Sequence, residues 1–134
     1  INTETQKYAQ ISGAMTVEVD GKELTLQQAS VHLMSTNRAK REEVYRKVSE
    51  RRLKDKEELD ALFSKLIKLR HQVAVNAGFK NFRDYMFKSL GRFDYTPQDC
   101  FDFHDAVQHE VVPTLDELAL QRKNDLKVDA LRPW

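Results

Sequence analysis

Residues 73–97, VAVNAGFKNFRDYMFKSLGRFDYTP, constrain this chain more than any other stretch. Phe79, Phe82, Tyr85, Phe87, Phe93 and Tyr95 fall within it, with Phe101 and Phe103 close behind, alongside two of the four glycines and one of the three prolines. Aromatic rings bring the largest apolar area per residue, while glycine and proline interrupt helices. A turn-rich segment this apolar has to be where flanking helices meet. The flanks agree. Leu59, Leu62, Phe63, Leu66, Ile67, Val73, Ala74 and Ala77 form a broad helical face before it. Cys100, Phe103, Val107, Val111, Leu115, Leu118 and Arg122 form a second stripe after it.

Local signals punctuate these helices. Ser35-Thr36-Asn37 supplies N-cap residues for a helix from Arg38 to Leu53, whose apolar stripe of Val44, Tyr45 and Val48 is narrow. Asp55 begins the next helix, with Glu57 and Glu58 in its first turn, and Gly78 closes it as a left-handed C-terminal cap. Whether residues 38–77 form one bent helix or two stays open. Asn81 caps a short helix that ends at Gly91, and Thr96-Pro97 opens the last one. The final stripe keeps its phase through Pro113, which predicts one long helix over residues 97–125, roughly 43 Å long and kinked at the proline. Only residues 8–26 read as strand. Met15, Val17 and Val19 alternate with polar residues, and Asp20-Gly21 turns the chain into a return strand over residues 22–25. Such a hairpin is marginal alone and must lie on helices or another sheet. A short helix follows, with Leu26, Ala29, Leu33 and Met34 on one face. The expected fold is mainly α: a helical bundle with a long kinked C-terminal helix and a small N-terminal β-hairpin. Residues 1–25 form the hairpin segment and residues 26–134 the helical domain.

The 134 residues suffice for one domain with a real core. No apolar run reaches the roughly 20 residues needed to cross a bilayer, and no basic-then-apolar leader stands at the N-terminus. The single cysteine, Cys100, cannot form an internal disulfide and fits a reducing, cytoplasmic setting. The chain opens on Ile1 and closes on Arg132-Pro133-Trp134, so the expectation is a segment of a longer protein. Its charge is nearly balanced but unevenly spread. Residues 38–56, from Arg38 to Lys56, carry nine Lys/Arg against four Asp/Glu; residues 93–120 carry seven Asp/Glu and no Lys/Arg. Clustered cations can bind nucleic acid by displacing counterions from phosphates. Glu42, Glu43, Glu50 and Asp55 interrupt this cluster, and Tyr45 is its only stacking aromatic, so a solvated basic helix is the better reading. The same helix lacks the large apolar residues that membrane-surface helices insert.

No catalytic constellation emerges from spacing. His109-Glu110-Val111-Val112-Pro113 stops one residue short of the zinc-peptidase pattern, in which histidines at i and i+4 share a helix face and the glutamate activates a bound water. Pro113 stands where the second ligand belongs. His104 lies five residues before His109, roughly 140° round an α-helix, and cannot replace it. His32 and His71 flank apolar faces without a ligand partner at helical spacing. Cys100 lies on an apolar stripe, where a buried thiol is inert. The site residues expected are therefore no catalytic residue and no metal ligand in this segment, with substrate contacts unassigned.

Gly78-Phe79-Lys80-Asn81-Phe82-Arg83-Asp84-Tyr85, followed by Arg92-Phe93-Asp94-Tyr95-Thr96, resembles the oligoendopeptidase F family, zinc metallopeptidases related to thimet oligopeptidase. The resemblance extends over nearly the whole chain. It takes in Ile11-Ser12-Gly13 with Asp20-Gly21 and Leu24-Thr25-Leu26, then Asn37-Arg38 and Arg41-Glu42. It resumes at Val111-Val112-Pro113, Leu118 and Arg122 and ends with Leu131-Arg132-Pro133-Trp134. It implies a complete enzyme that hydrolyses short peptides in a channel between helical lobes, with zinc held by His-Glu-x-x-His and a downstream Glu. Those elements would lie beyond Trp134, so the resemblance implies a non-catalytic segment forming channel wall, inactive alone and partnered by the catalytic half. The alternative is a free-standing helical interaction module using residues 38–56 or residues 93–120, or less readily a nucleic-acid binder through the basic helix.

Overall fold

A computed structural model describes all of residues 1–134, and its contacts divide the chain into two compact units. One comprises Ile1–Gln72 with Pro133–Trp134, the other Val73–Arg132.

The first unit is built on the hairpin. Strands β1 (Thr16–Val19) and β2 (Lys22–Thr25) pair antiparallel, Val17 opposite Leu24 and Val19 opposite Lys22. Asp20 and Gly21 both take positive φ, 52° and 74°, the left-handed pair that a two-residue turn between twisted strands requires. Val17 and Val19 face inward onto Ala29 of α2 (Leu26–Ser30) and onto Val44 and Val48 of α3 (Arg38–Lys54), with Leu24, Leu26 and Leu33 at the margin. The expectation that the hairpin lies on helices is met by this core. Thr25 caps α2 reciprocally: Gln28 N–H donates to Thr25 Oγ1 at 3.2 Å and Thr25 N–H to Gln28 Oε1 at 2.9 Å. A 3₁₀ turn, Val31–Met34, follows and swings Met34 out to solvent, so Met34 does not share the apolar face of Leu26, Ala29 and Leu33.

Asn37 caps α3 by accepting from the Lys40 N–H at 3.3 Å. The helix ends at Lys54, and α4 (Lys56–Asn76) begins two residues on, so residues 38–77 form two helices parted at Asp55. Asp55 also closes an ion pair with Arg51 at 2.6 Å. The strand-like reading of residues 8–26 holds only from Thr16 to Thr25, because Asn2–Gly13 is helix α1. This helix buries no residue. It is anchored by Glu4 accepting from Lys65 of α4 at 2.7 Å, and the Thr5 and Ser12 hydroxyls donate back to the carbonyls of Ile1 and Tyr8. A helix this polar shows no periodic stripe, which is why the sequence pattern misses it.

The second unit holds the aromatic stretch. The end of α4 closes with Phe79 N–H reaching the Ala74 carbonyl at 2.9 Å and Gly78 N–H the Val75 carbonyl at 3.0 Å, Gly78 standing at φ 81°. Helix α5 (Phe82–Ser89) ends in the same way at Gly91. Helix α6 (Pro97–Ala106) starts from Thr96 and runs through a π turn, Val107–Val111, into α7 (Val112–Asp125). The long C-terminal helix of 29 residues expected from the stripe is therefore present. What breaks its α ladder is the five-residue π turn just before Pro113.

Candidate functional site

The aromatic stretch folds into a shallow cleft in the second unit, about 290 Å³, lined by Phe79, Phe87, Phe93 and Tyr95 with Asp84, Lys88 and Arg92 at its rim. The rings fix one another. Phe87 and Tyr95 meet edge-on at 5.6 Å and Phe79 and Tyr85 at 5.7 Å, the geometry their quadrupoles favour. Lys88 lies 5.3 Å from the centre of Phe93, and Arg92 the same distance from Phe87. Asn81 holds the start of α5 by accepting from the Asp84 N–H at 2.9 Å and donating to Asp84 Oδ2 at 2.8 Å. The Arg83 guanidinium, then Asn81, hold the Asp84 carboxyl below its ordinary pKa. Asp99 is lowered likewise by the hydroxyl and amide of Thr96 at the α6 cap.

The histidines are dispersed. His32 is half-buried in the 3₁₀ turn, and His71 is exposed on α4. His104 and His109 are exposed on the long helix. The Nδ1 of His109 lies 2.7 Å from the Asp105 carbonyl oxygen. A carbonyl can only accept, so that nitrogen carries the proton. Cys100 is half-buried, not sealed in a core as its place on the stripe suggested. No group of three or more His, Cys, Asp or Glu side chains converges to hold a metal. The residues of this chain do not by themselves make up the zinc site that the family resemblance implies.

The π turn has a different role. Phe103, Val107, Val111 and Leu115 are spaced four apart, and each such step overshoots a full α-helical turn by about 40°, about 120° over the three. The π turn takes in one extra residue and gives back about 100°. The four side chains, with Leu118 after them, thus stay on one face of the helix. Yet α6, the π turn and α7 bury no residue. Phe103, Leu115 and Leu118 stand 66%, 56% and 55% exposed.

In the first unit four of the eight Lys and Arg side chains of the basic helix α3 are paired with carboxylates. Lys40 pairs with Asp20 and Glu43, Lys47 with Glu43, Arg46 with Glu42 and Arg51 with Asp55. The hydrogen bond from Lys40 holds the Asp20 carboxyl below its ordinary pKa. An open groove of about 1050 Å³ also lies in this unit, among Tyr8, Ser12, Met15, Leu26, Arg52 and Leu59. It brings together no pair of groups with nucleophile-and-base chemistry. No helix is long and apolar enough to cross a membrane.

Comparison with known proteins places this arrangement. No curated protein sequence matches the chain. Among solved structures, a protein described as an oligoendopeptidase F from Bacillus anthracis strain Ames superposes with a TM-score of 0.90 at 25% identity, over 98% of this chain and 24% of that one. PZ peptidase A, solved with an inhibitor, superposes with a TM-score of 0.88 at 26% identity, over 96% of this chain and 23% of its own. The chain spans about a quarter of the length of these structures. The sequence pattern of peptidase family M3 matches residues 31–134. The chain belongs to peptidase family M3.

Proposed function

We propose that this chain is a non-catalytic segment of a zinc-dependent oligoendopeptidase that hydrolyses short peptides, and that it forms part of the helical wall of the substrate channel. The observation that carries the reading is the superposition of nearly the whole chain on a quarter of an oligoendopeptidase F fold. The dispersed histidines are consistent with it, since they leave the zinc ligands and general base to the remainder of a peptidase-length polypeptide. The lone, half-buried Cys100 is consistent with the cytoplasm. A nucleic-acid role for residues 38–56 is weakened by the carboxylates that pair with Lys40, Arg46, Lys47 and Arg51.

The test is hydrolysis of a mixed pool of short peptides. The chain alone, with added zinc, should cleave nothing, and a peptidase-length polypeptide containing it should cleave in a chelator-sensitive manner. Chelator-sensitive cleavage by the chain alone would overturn the assignment of the ligands to another segment. A full-length polypeptide that cleaves no peptide would overturn the peptidase reading.

A further inference from the structure

We infer that the line Phe103, Val107, Val111, Leu115 and Leu118 is a docking ridge for an amphipathic helix bordered by Lys and Arg, supplied by the remainder of a peptidase-length polypeptide. The inference rests on the reading of this chain as a segment of such a peptidase. A helix in a globular fold gains most of its stability from packing an apolar face, not from intrinsic propensity. Over residues 97–125 little of that packing is present, since none of the residues is buried and only Pro97, Cys100, Val107 and Lys123 are half-covered. The apolar line is nevertheless kept on one face by the π turn that precedes Pro113.

Charge selects the occupant. The segment from residue 93 to residue 120 carries seven Asp/Glu and no Lys or Arg. A second copy docking on this ridge would bring two such acidic surfaces together, and like charges oppose association. A partner with cations beside its apolar face meets attraction instead. The solved relatives are about four times as long as this chain, so polypeptide able to supply such a helix exists in proteins of this fold.

Two peptides test the chemistry. Each presents the same leucine face on a helix of about 18 residues, flanked by Lys in one and by Glu in the other. The Lys-flanked peptide should bind the isolated chain at least about tenfold more tightly at low salt. The double substitution Leu115→Asp and Leu118→Asp should abolish binding while leaving the thermal midpoint unchanged, because both side chains are more than half exposed. Equal binding of the two peptides, or a dimer of the chain that buries the ridge, overturns the inference.

A second measurement uses the full polypeptide. With Cys100→Ser as background, a thiol introduced by Leu115→Cys should react at least about tenfold more slowly there than in the isolated chain. Equal labelling in a polypeptide that cleaves peptides would overturn the ridge and leave the peptidase reading intact. Protection in a polypeptide that cleaves none would do the reverse.

Discussion

The indole of Trp134 rests against the ring of Tyr45 in α3, centroids 5.3 Å apart and planes tilted by 46°. The Arg46 guanidinium lies 4.9 Å from the indole centre on the same helix. The last two residues thereby join the first unit. An aromatic pair and an exposed cation–π contact together stabilise by about 1–2 kcal/mol. Trp134→Ala should lower the thermal midpoint by several degrees, and Trp134→Phe by roughly half as much. Trp134 is the only tryptophan, so Tyr45→Ala should red-shift its fluorescence as the indole gains water. An unshifted spectrum would mean that the contact does not persist in solution.

The hairpin core makes a sharper demand. Val44 is wholly buried, whereas Val31, in the 3₁₀ turn just before α3, is 71% exposed. Val44→Ala removes two buried carbon groups and leaves a cavity, which costs about 2 kcal/mol. Val31→Ala should fall within about 0.5 kcal/mol of the parent. Urea unfolding of the two variants decides the point, and equal midpoints would contradict a core centred on β1, α2 and α3.

Much of this fold is legible in the sequence because its signals are local. Asp20-Gly21 writes its own turn, and Asn37, Asn81 and Thr96 each accept a hydrogen bond at a helix start as their side chains allow. Helix α1 escapes notice because it has no apolar stripe and is secured by contacts distant in sequence, such as Glu4 with Lys65. Periodicity marks Phe63, Ile67, Phe103 and Leu115 as apolar faces correctly, but it carries no information on whether this chain covers them, and all four are exposed. The π turn is hidden for a related reason. The run of four-residue steps from Phe103 to Leu115 hints at an extra residue in the helix, a subtler signal than Pro113 itself. Function follows the same division. The family is readable from an ordered set of motifs, whereas no individual side chain announces a role, since the histidines never converge.

The C-terminus of α7 offers a test of backbone strain. Lys127 sits at φ 51°, with its N–H on the Asn124 carbonyl at 3.0 Å and the Val128 N–H on that of Lys123 at 3.3 Å. Gly78 and Gly91 hold the equivalent left-handed positions after α4 and α5. A side chain at such a position costs about 1 kcal/mol. Lys127→Gly should therefore stabilise by up to about 1 kcal/mol. Gly78→Ala should destabilise by a similar amount purely through its dihedral angle, since a Cβ there would meet nothing within 4 Å. Thermal midpoints moving in opposite directions are the expected result; a fall for Lys127→Gly would contradict the cap geometry.

Arg132 grips Asp129 with both guanidinium nitrogens, Nη1 to Oδ1 at 2.8 Å and Nη2 to Oδ2 at 2.9 Å. The guanidinium's hydrogen bonds and charge hold this carboxyl down to a pKa of about 2, from an ordinary 3.8. The folded-state value is the lower one, so between the two the unfolded chain binds more protons than the folded one. The stability contributed by this pair is fully present above the ordinary value and is lost as pH falls toward about 2. Asp129 is well exposed to solvent, so raising the salt to about 1 M should bring its titration midpoint back toward the ordinary value. Arg132→Gln should do so at any ionic strength. Carboxyl chemical shifts followed through an acid titration measure both effects, and a parent midpoint near 3.8 that ignores salt and substitution would show that the fork does not form.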